Sequence, residues 1–382
     1  MPDQDVAIYS PAAACLYERR PQVTGGAERQ TTLLASGLAR AGLRVAHIVL
    51  PVEDPAPPVG PAPTLVQRRL VATGRGPLVR ATQLGRVWSA LAEADAAVYV
   101  VRSGVAALGI AALFCRARGR RLVFSSSNNL DFTFDFYAGR RPELGLYKFG
   151  VRNTDVVVVQ SREQAELARR AFPGLSRVAE VPSFAQPAAM STARPEAFLW
   201  VGRLDSYKQP LRYLELAEAV PDARFWMVVR ELDPERSGGI PGGGRDLELE
   251  REFQRRAAGL PNLEVLEQRP HREAMDLVDR AVAVVNTGAA EGMPNLFLEA
   301  WIRGVPILSY EFDPDGRVAR ERLGIVAEGS PERFQAGARR LWEERDDRGE
   351  VSRRVRAYVE STHGPDAVTN RWLKLISELP RS

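Results

Sequence analysis

Short apolar runs alternate with helical patterns along almost the whole 382-residue chain, and this alternation constrains the fold most strongly. Apolar runs that are separated by helical periodicity are typical of βαβ units, which build parallel sheets. The sequence therefore predicts an α/β protein with doubly wound parallel sheets, helices lying on both faces. The predicted strands are Val6–Tyr9, Leu43–Leu50, Ala96–Val101, Arg121–Ser125, Asp155–Gln160, Ala197–Val201, Arg224–Val229, Leu263–Leu266, Ala281–Asn286 and Val305–Ser309.

One segment interrupts the alternation. Val181–Pro195 contains three prolines, small side chains and no periodicity, so we interpret it as a linker. It divides the chain into two Rossmann-like domains, residues 1–185 and 186–364. The amphipathic segment 365–382 is expected to pack back toward the N-terminal domain. Two such domains facing each other across a cleft would bind a ligand there, at the carboxyl ends of both sets of strands.

The charge is distributed unevenly between the two halves. The chain has 52 Lys and Arg against 48 Asp and Glu, and only three of the basic residues are lysines. Residues 1–185 hold 23 basic and 15 acidic residues, a balance of +8, whereas the remainder has a balance of −4. This basic half predicts an anionic partner or an anionic membrane surface, with a solvated Arg-rich surface as the alternative. Nucleic acid is disfavoured, because no recognisable nucleic-acid module accompanies the charge.

Several functional classes lack the residues they need. Cys15 and Cys115 are too few for a disulfide framework or a zinc cluster, and three scattered histidines predict no metal site. Met1–Asp5 has no basic region typical of a signal peptide. The apolar stretch Ala96–Cys115 is broken by Arg102, which favours a buried strand and a helix over a membrane span. These features predict a cytoplasmic protein, peripheral at the inner membrane face if the basic half binds lipid.

Two glycine-containing loops are candidate phosphate sites. Gly25 and Gly26 precede a helix, where backbone N–H groups approach an anion closely; a simple flexible loop remains the alternative. Gly202 follows a predicted strand, and Arg203 and Lys208 lie five residues apart after it. Two cations at the end of a strand suit a diphosphate, and a lysine is unusual in a chain that otherwise uses arginine.

The third candidate is the segment from Glu291 to Glu299. We expect Pro294 to begin a helix whose first N–H groups, at Asn295 and Leu296, can bind phosphate oxygens. Two carboxylates that flank such a helix end suit sugar hydroxyls better than phosphate. A surface position for Glu299 fits poorly with its apolar neighbours.

These motifs together resemble glycosyltransferase family 4, whose members are retaining enzymes with the GT-B fold. The Gly-Gly-Ala-Glu opening, the Gly-Arg-Leu…Lys segment and a Glu-x7-Glu motif written EGMPNLFLEA resemble that family's motifs. The segments VVVQSREQAELARRAF and VAEVPSF also resemble the last helical unit before the family's linker. The resemblance implies that a nucleotide-sugar donor is bound mainly by the C-terminal domain and an acceptor by the N-terminal domain.

The resemblance also implies individual roles. Arg203 and Lys208 would neutralise the departing diphosphate, Glu299 would bind the ribose hydroxyls, and Glu291 would contact the transferred sugar. The backbone of the donor-domain loops would hold sugar and phosphate groups, and Gly25 and Gly26 would touch the diphosphate from the N-terminal side. The implied substrate-binding residues are Gly25, Gly26, Gly202, Gly292, Met293, Pro294, Asn295, Leu296 and Glu299.

The sequence departs from the family pattern at one strand. Many members carry a histidine after a central N-terminal strand, whereas Phe124–Asp131 contains none. Asn128, Asn129 or Asp131 is expected to replace that histidine, with a polar helix cap as the alternative. Asp313 and Asp315 have the Asp-x-Asp spacing of metal-dependent glycosyltransferases, but the following glycine favours a turn.

The sequence thus predicts a metal-independent, cofactor-free hexosyl- or related glycosyltransferase acting on a glycan, a lipid-linked or a small-molecule acceptor. A GT-B sugar-nucleotide epimerase and a non-catalytic nucleotide-sugar-binding protein are the alternatives. An NAD-dependent oxidoreductase is disfavoured, because no Gly-x-Gly-x-x-Gly opens either half.

Overall fold

The computed structural model describes residues 2–19, 25–58, 60–70, 77–134, 141–229, 246–289 and 292–380. The chain forms two compact units, which are taken in turn below; the residues up to Phe184 and from Pro365 belong to unit 1, and those from Ala185 to Gly364 form the described part of unit 2. No helix in these ranges is long and apolar enough to cross a membrane.

Unit 1 is a seven-stranded parallel sheet with helices on both faces, in the strand order β3-β2-β1-β4-β5-β6-β7. Its elements up to the linker are β1 (Gln4–Tyr9), α1 (Gly26–Arg40), β2 (Val45–Val49), β3 (Thr64–Gln67), α2 (Pro77–Ala94), β4 (Ala96–Arg102), α3 (Ala107–Arg118), β5 (Arg121–Ser125), α4 (Leu130–Thr133), α5 (Arg141–Arg152), β6 (Val156–Val159), α6 (Arg162–Ala171) and β7 (Val178–Glu180).

Unit 2 is a six-stranded parallel sheet in the order β10-β9-β8-β11-β12-β13. Its elements are β8 (Ala197–Gly202), α7 (Pro210–Ala219), β9 (Phe225–Val229), α8 (Leu247–Ala257), β10 (Leu263–Leu266), α9 (His271–Asp279), β11 (Ala281–Asn286), α10 (Asn295–Ile302), β12 (Ile307–Ser309), α11 (Arg317–Arg320), β13 (Gly324–Val326), α12 (Pro331–Glu343) and α13 (Gly349–His363). The last helix, α14 (Pro365–Ser377), returns to unit 1.

The alternation of side chains along each strand explains why helices cover both faces of the sheets. In β1, Val6 and Ile8 pack against α1 and α14, whereas Ala7 and Tyr9 belong to the core on the opposite face. Unit 2 repeats the arrangement, with α9, α10 and α13 on one face and α7 and α12 on the other. This is the predicted doubly wound α/β architecture.

The chain leaves unit 1 at a defined hydrogen-bonded position. The side-chain amide of Gln30 on α1 donates to the carbonyl of Phe184 at 2.8 Å and accepts from its N–H at 2.7 Å. On the neighbouring helix α14, Thr369 lies so close to Gly37 that a β-carbon there would approach its hydroxyl to 2.6 Å. Together these contacts attach the end of unit 1 and the C-terminal helix to α1.

The sequence pattern missed three strands, β3, β7 and β13, and each is only three or four residues long. Two of them, β3 and β7, are the edge strands of the first sheet, where a strand needs no long apolar run because much of it faces solvent. The third, β13, is one of the two edge strands of the second sheet; the other, β10, was predicted. The predicted boundaries of the longer strands agree with the structure to within two residues.

Candidate functional site

Gly202 is the last residue of β8, and its lack of a side chain leaves room for the ring of Trp200. A β-carbon on Gly202 would lie 2.6 Å from the ring of Trp200, so only glycine allows the strand and this indole to coexist. The Trp200 indole N–H donates to the hydroxyl of Thr287 at 2.9 Å. Packing against Trp200 therefore requires glycine at position 202, independently of the substrate contact predicted there.

The loop after β8 is tied to the loop after β11. The Thr287 hydroxyl donates to the carbonyl of Lys208 at 2.6 Å, and the N–H of Ala289 donates to the carbonyl of Tyr207 at 3.3 Å. Strands β8 and β11 are neighbours in the sheet, and the strand order reverses between them. Open α/β sheets bind ligands at such a reversal, at the carboxyl ends of the strands. The structure thus brings the predicted segment 202–208 against the loop that leads to α10.

Arg203 is not an isolated cation. Its guanidinium donates to the hydroxyl of Tyr207 at 2.9 Å and pairs with Asp205 at 2.7 Å. Burial opposes the charged form, but Tyr207 and Asp205 outweigh this effect and raise the pKa of Arg203. The side chain is 25% exposed, so it remains open to a ligand while two neighbours fix its direction.

Lys208 lies in a short 3-10 helix, Ser206–Lys208, immediately before α7. Its ammonium lies 5.3 Å from the centre of the Tyr207 ring, an arrangement in which the ring face attracts the cation. One tyrosine therefore orients both predicted cations, through its hydroxyl and through its ring. Arg203 and Lys208 contribute two positive charges, and the carboxylate of Asp205 offsets part of the charge on Arg203. The N-terminus of α10 adds the partial positive charge of a helix end.

The N-terminus of α10 is the third part of the candidate site, after Arg203 and Lys208. Pro294 is the N-cap and Asn295 the first helical residue, so the helix begins one residue later than predicted. Proline has no side-chain acceptor with which to cap the helix, and the first-turn N–H groups of any helix lack partners within it. Gly292 and Met293 are buried before it. The predicted sugar ligand Glu291 lies outside the described residues.

Glu299 lies on α10, with its side chain only 12% exposed. Its Oε1 is 2.8 Å from Nε2 of His271, the first residue of α9. Nothing in the sequence indicates this partner, because the two residues are 28 positions apart and come from different helices. His271 fixes the carboxylate that the resemblance assigns to ribose.

In unit 1, the predicted anion site at Gly25 and Gly26 is occupied by a carboxylate of the chain itself. Gly25 is the N-cap of α1, and a β-carbon there would lie 2.3 Å from Oε2 of Glu28, whose side chain folds back over the helix end. A phosphate at this helix end would have to displace that carboxylate. The helix end is thus less favourable to an anion than the two glycines suggested.

Asn128 and Asp131, two of the predicted replacements for the family histidine, differ in their hydrogen bonding. Asp131 is buried, and its carboxylate accepts from the N–H groups of Gly104 at 2.8 Å and Ser127 at 2.7 Å and from the Ser126 hydroxyl at 2.9 Å. These bonds occupy both oxygens, so Asp131 organises the loop between β5 and α4. The helix-cap alternative is not confirmed, because Asn129, the N-cap of α4, makes no side-chain capping bond. Oδ1 of Asn128, by contrast, is buried with no hydrogen-bond partner in the described ranges.

The Asp-x-Asp segment forms a turn. The carboxylate of Asp313 accepts from the N–H groups of Val318 at 2.7 Å and Ala319 at 3.2 Å, and Asp315 pairs with Arg317 at 3.0 Å. Both carboxylates are used within the turn. Among the described residues, no group of three or more Asp, Glu, His or Cys side chains could hold a metal ion.

Arg116, Arg118, Arg120 and Arg121 form a basic cluster in the first half of the sequence, and two of the four are paired within unit 1. Arg120 bonds to Asp95 at 2.6 Å and Arg121 to Asp155 at 3.1 Å, whereas Arg116 and Arg118 are exposed on the last turn of α3. Two of the other predicted basic residues, Arg20 and Arg140, lie outside the described ranges. These ion pairs favour a paired and solvated arginine surface over a continuous membrane-binding patch.

A model of the "Glycosyl transferase 4-like domain" family matches residues 25–183. A search of curated protein sequences finds no match.

Similar solved structures span nearly the whole chain. Sucrose-phosphate synthase from Thermosynechococcus elongatus has a TM-score of 0.73 and 15% identity, and the match covers 98% of this chain and 99% of that one. Anabaena HepE in complex with UDP and glucose has a TM-score of 0.72 and 14% identity, covering 98% and 100%. The lipopolysaccharide outer core galactosyltransferase WaaB has a TM-score of 0.64 and 13% identity, with the same coverage. These similarities confirm the predicted GT-B fold.

Proposed function

We propose that this protein is a glycosyltransferase that moves a hexosyl or related sugar from a nucleotide-diphosphate-sugar to an acceptor hydroxyl. The match of residues 25–183 to the glycosyl transferase 4-like domain model and the GT-B fold of the chain support this proposal. The acceptor is a glycan, a lipid-linked glycan or a small molecule, and the sugar keeps its anomeric configuration. The observation that supports this best is the hydrogen-bonded loop pair in unit 2, which places Arg203, Lys208 and the start of α10 around one reversal point of the sheet.

The chemistry follows from where charge develops. When the bond between the sugar and the diphosphate breaks, positive charge grows on the sugar ring and negative charge on the departing phosphate oxygens. Donors that are already oriented stabilise such charge without reorganising. Arg203 is held by Asp205 and Tyr207, and Lys208 lies over the Tyr207 ring, so both cations are oriented before the donor arrives. Hydrogen bonds from the α10 N-terminus complete a cationic environment for the diphosphate.

This proposal is tested by incubating the protein with each nucleotide-sugar and a panel of acceptors. We expect release of a nucleoside diphosphate together with a glycosylated product of the same anomeric configuration as the donor, measured by NMR. A rearranged sugar formed without any acceptor would identify an epimerase. Binding of nucleotide-sugars without release or rearrangement would identify a non-catalytic binding protein.

Transfer is expected to continue without a divalent metal. Two side-chain cations and a helix end supply the charge that a metal supplies elsewhere, and both aspartates of the Asp-x-Asp segment are used within its turn. We expect the initial rate in excess EDTA to stay within about twofold of the untreated rate, measured by nucleotide release. A loss of activity that Mg²⁺ or Mn²⁺ restores would contradict metal independence.

Replacing His271 with Gln is expected to raise the KM for the donor by about three- to tenfold and to change kcat less. The Glu299 carboxylate loses the 2.8 Å contact that orients it toward the ribose, while the cations at the diphosphate stay in place. Arg272→Gln, at the exposed neighbouring position on α9, is the matched control. If both variants show the same fall in kcat and the same rise in KM, α9 acts only structurally.

A further inference from the structure

Arg102 occupies a central position in the sheet of unit 1. It is the last residue of β4, and β4 is the neighbour of β1 in the order β3-β2-β1-β4-β5. The chain proceeds from β1 toward β2 on one side and from β4 toward β5 on the other, so the order reverses between β1 and β4. This is the point at which an open α/β sheet forms a crevice for a ligand.

The guanidinium of Arg102 is left largely without partners. Its Nη1 donates to the hydroxyl of Ser125 at 2.9 Å, but its Nε is buried with no hydrogen-bond partner in the part of the chain that the structure describes. Within those same ranges, no carboxylate lies within 4.0 Å of it. Asp131 and Glu28 act on it only at longer range, and Asp131 already accepts hydrogen bonds from several neighbours.

A guanidinium whose Nε is buried without a hydrogen bond or an ion pair is unfavourable, and natural proteins keep such a group mainly where it has a function. Burial lowers the pKa of Arg102 to about 10, and the two distant carboxylates offset part of that effect. The group therefore still carries its positive charge at neutral pH. A charged donor with unused N–H groups fits an anion, since a guanidinium binds phosphate or carboxylate through parallel hydrogen bonds.

A small cavity lies against this side chain. Arg102, Ser125, Thr31 and Gln30 contribute its polar lining, and Leu34 and Trp372 contribute apolar walls. Its volume is about 10 Å³, which is room for one water-sized group. The cavity can therefore take a single oxygen of an anionic group, but not a whole sugar.

We propose that Arg102 binds an anionic group of the acceptor, a phosphate or a carboxylate, with one of its oxygens entering the cavity between α1 and the ends of β4 and β5. The assignment of this anion to the acceptor rests on the proposed function. The anion site itself rests on the cavity and the unpartnered Nε of Arg102 in unit 1. This site also gives the basic half a specific purpose, because its selectivity comes from one cation with a buried Nε and not from the exposed arginines.

The test uses inorganic phosphate and the full-length chain. Phosphate is titrated calorimetrically into protein carrying Arg203→Gln, which weakens the donor diphosphate site, and into the same protein with Arg102→Gln added. Arg116→Gln, at an exposed position of α3, replaces Arg102→Gln in the matched control. We expect Arg102→Gln to weaken phosphate binding at least tenfold and the control to leave it unchanged. Equal affinity with and without Arg102, or no phosphate binding in any variant, overturns the inference.

Two further measurements keep the result interpretable. If Arg102→Gln fails to fold, Arg102→Lys keeps the charge, and we expect it to fold and retain part of the phosphate affinity; a folded Lys variant that binds no phosphate overturns the inference. Glucose 6-phosphate, glucuronate and glucose are then compared as ligands. Tighter binding of either anionic sugar than of glucose supports the site and distinguishes phosphate from carboxylate; equal binding of all three contradicts it.

Nucleotide binding separates this inference from the proposed function. In the single variant Arg102→Gln, we expect nucleotide-sugar affinity to stay within about twofold of wild type. A loss of nucleotide affinity as large as the loss of phosphate affinity would place Arg102 in the donor site and overturn its assignment to the acceptor. Failure of the wild-type chain to bind any nucleotide-sugar would contradict the proposed function, while the phosphate titration would still decide the anion site.

Discussion

Replacing Lys208 with Ala is expected to lower kcat for sugar transfer by about 100-fold, with little change in stability. Removal of one oriented donor from a developing negative charge typically costs about 10²–10³ in rate. Lys208 is a partly exposed residue whose ammonium contacts the Tyr207 ring, so its loss leaves no large cavity. Steady-state nucleotide release gives kcat, and thermal unfolding gives the change in Tm.

Lys374→Ala is the control for this variant. It removes another of the three lysines, at a position on α14 where the side chain is 78% exposed and pairs only weakly with Glu378 at 3.9 Å. We expect wild-type kcat from the control. Wild-type kcat from Lys208→Ala as well would show that the loop after β8 does not act on the departing group.

Glu299→Ala is expected to raise the KM for the donor at least tenfold. A carboxylate that accepts from ribose hydroxyls makes charge-assisted hydrogen bonds, each worth roughly 1.5–3 kcal/mol. The partner left behind, His271, is about one-third exposed and can be hydrated, so we expect only a small loss of stability. Initial rates against donor concentration separate KM from kcat.

Glu273→Ala serves as the matched control for Glu299. Glu273 lies on α9 with its side chain 54% exposed, and it pairs with Arg269 at 3.7 Å. The control should keep the wild-type KM. An unchanged KM in Glu299→Ala would remove this carboxylate from the donor site, whereas a large fall in Tm would assign it a structural role beside His271.

The central strands and one edge strand could be predicted from the sequence, whereas the edge strands β3, β7 and β13 could not. Arg121–Ser125 and Ala281–Asn286 were predicted at the residues where the structure has them, because strands buried on both faces are continuous apolar runs. The edge strand Leu263–Leu266 was also predicted, although its two middle residues are exposed. Thr64–Gln67 contains two polar residues among its four and lies at a sheet edge, so nothing in its composition separates it from a loop.

The candidate residues of the proposed donor site could be named from the sequence, but not the contacts that hold them. Arg203, Lys208 and Glu299 follow from local patterns, each within a few residues of a strand end or a helix start. Thr287 lies 79 residues from Lys208 and 87 from Trp200, and only the sheet order brings them together. Long-range contacts of this kind leave no periodic signal in a single sequence.

The count of basic residues in the first half of the sequence could not identify which arginine binds an anion. The excess of basic residues in the first half predicted an anionic partner without identifying a residue, because Arg102 is one of 49 arginines with nothing local to distinguish it. Two members of the arginine cluster, Arg120 and Arg121, are partly neutralised by aspartates. Only the structure distinguishes Arg102, by its buried Nε without a hydrogen-bond partner and by its place at the reversal of the sheet.

The central claim is that the loop after β8 and the start of α10 bind a nucleotide-sugar. The most direct measurement is a thermal-shift screen of the wild-type protein and Lys208→Ala against UDP-, GDP-, ADP- and TDP-sugars, with NAD for comparison. We predict that at least one nucleotide-sugar raises the Tm of the wild type and that Lys208→Ala loses most of this shift. No shift with any nucleotide-sugar, together with stabilisation by NAD, would contradict the assignment.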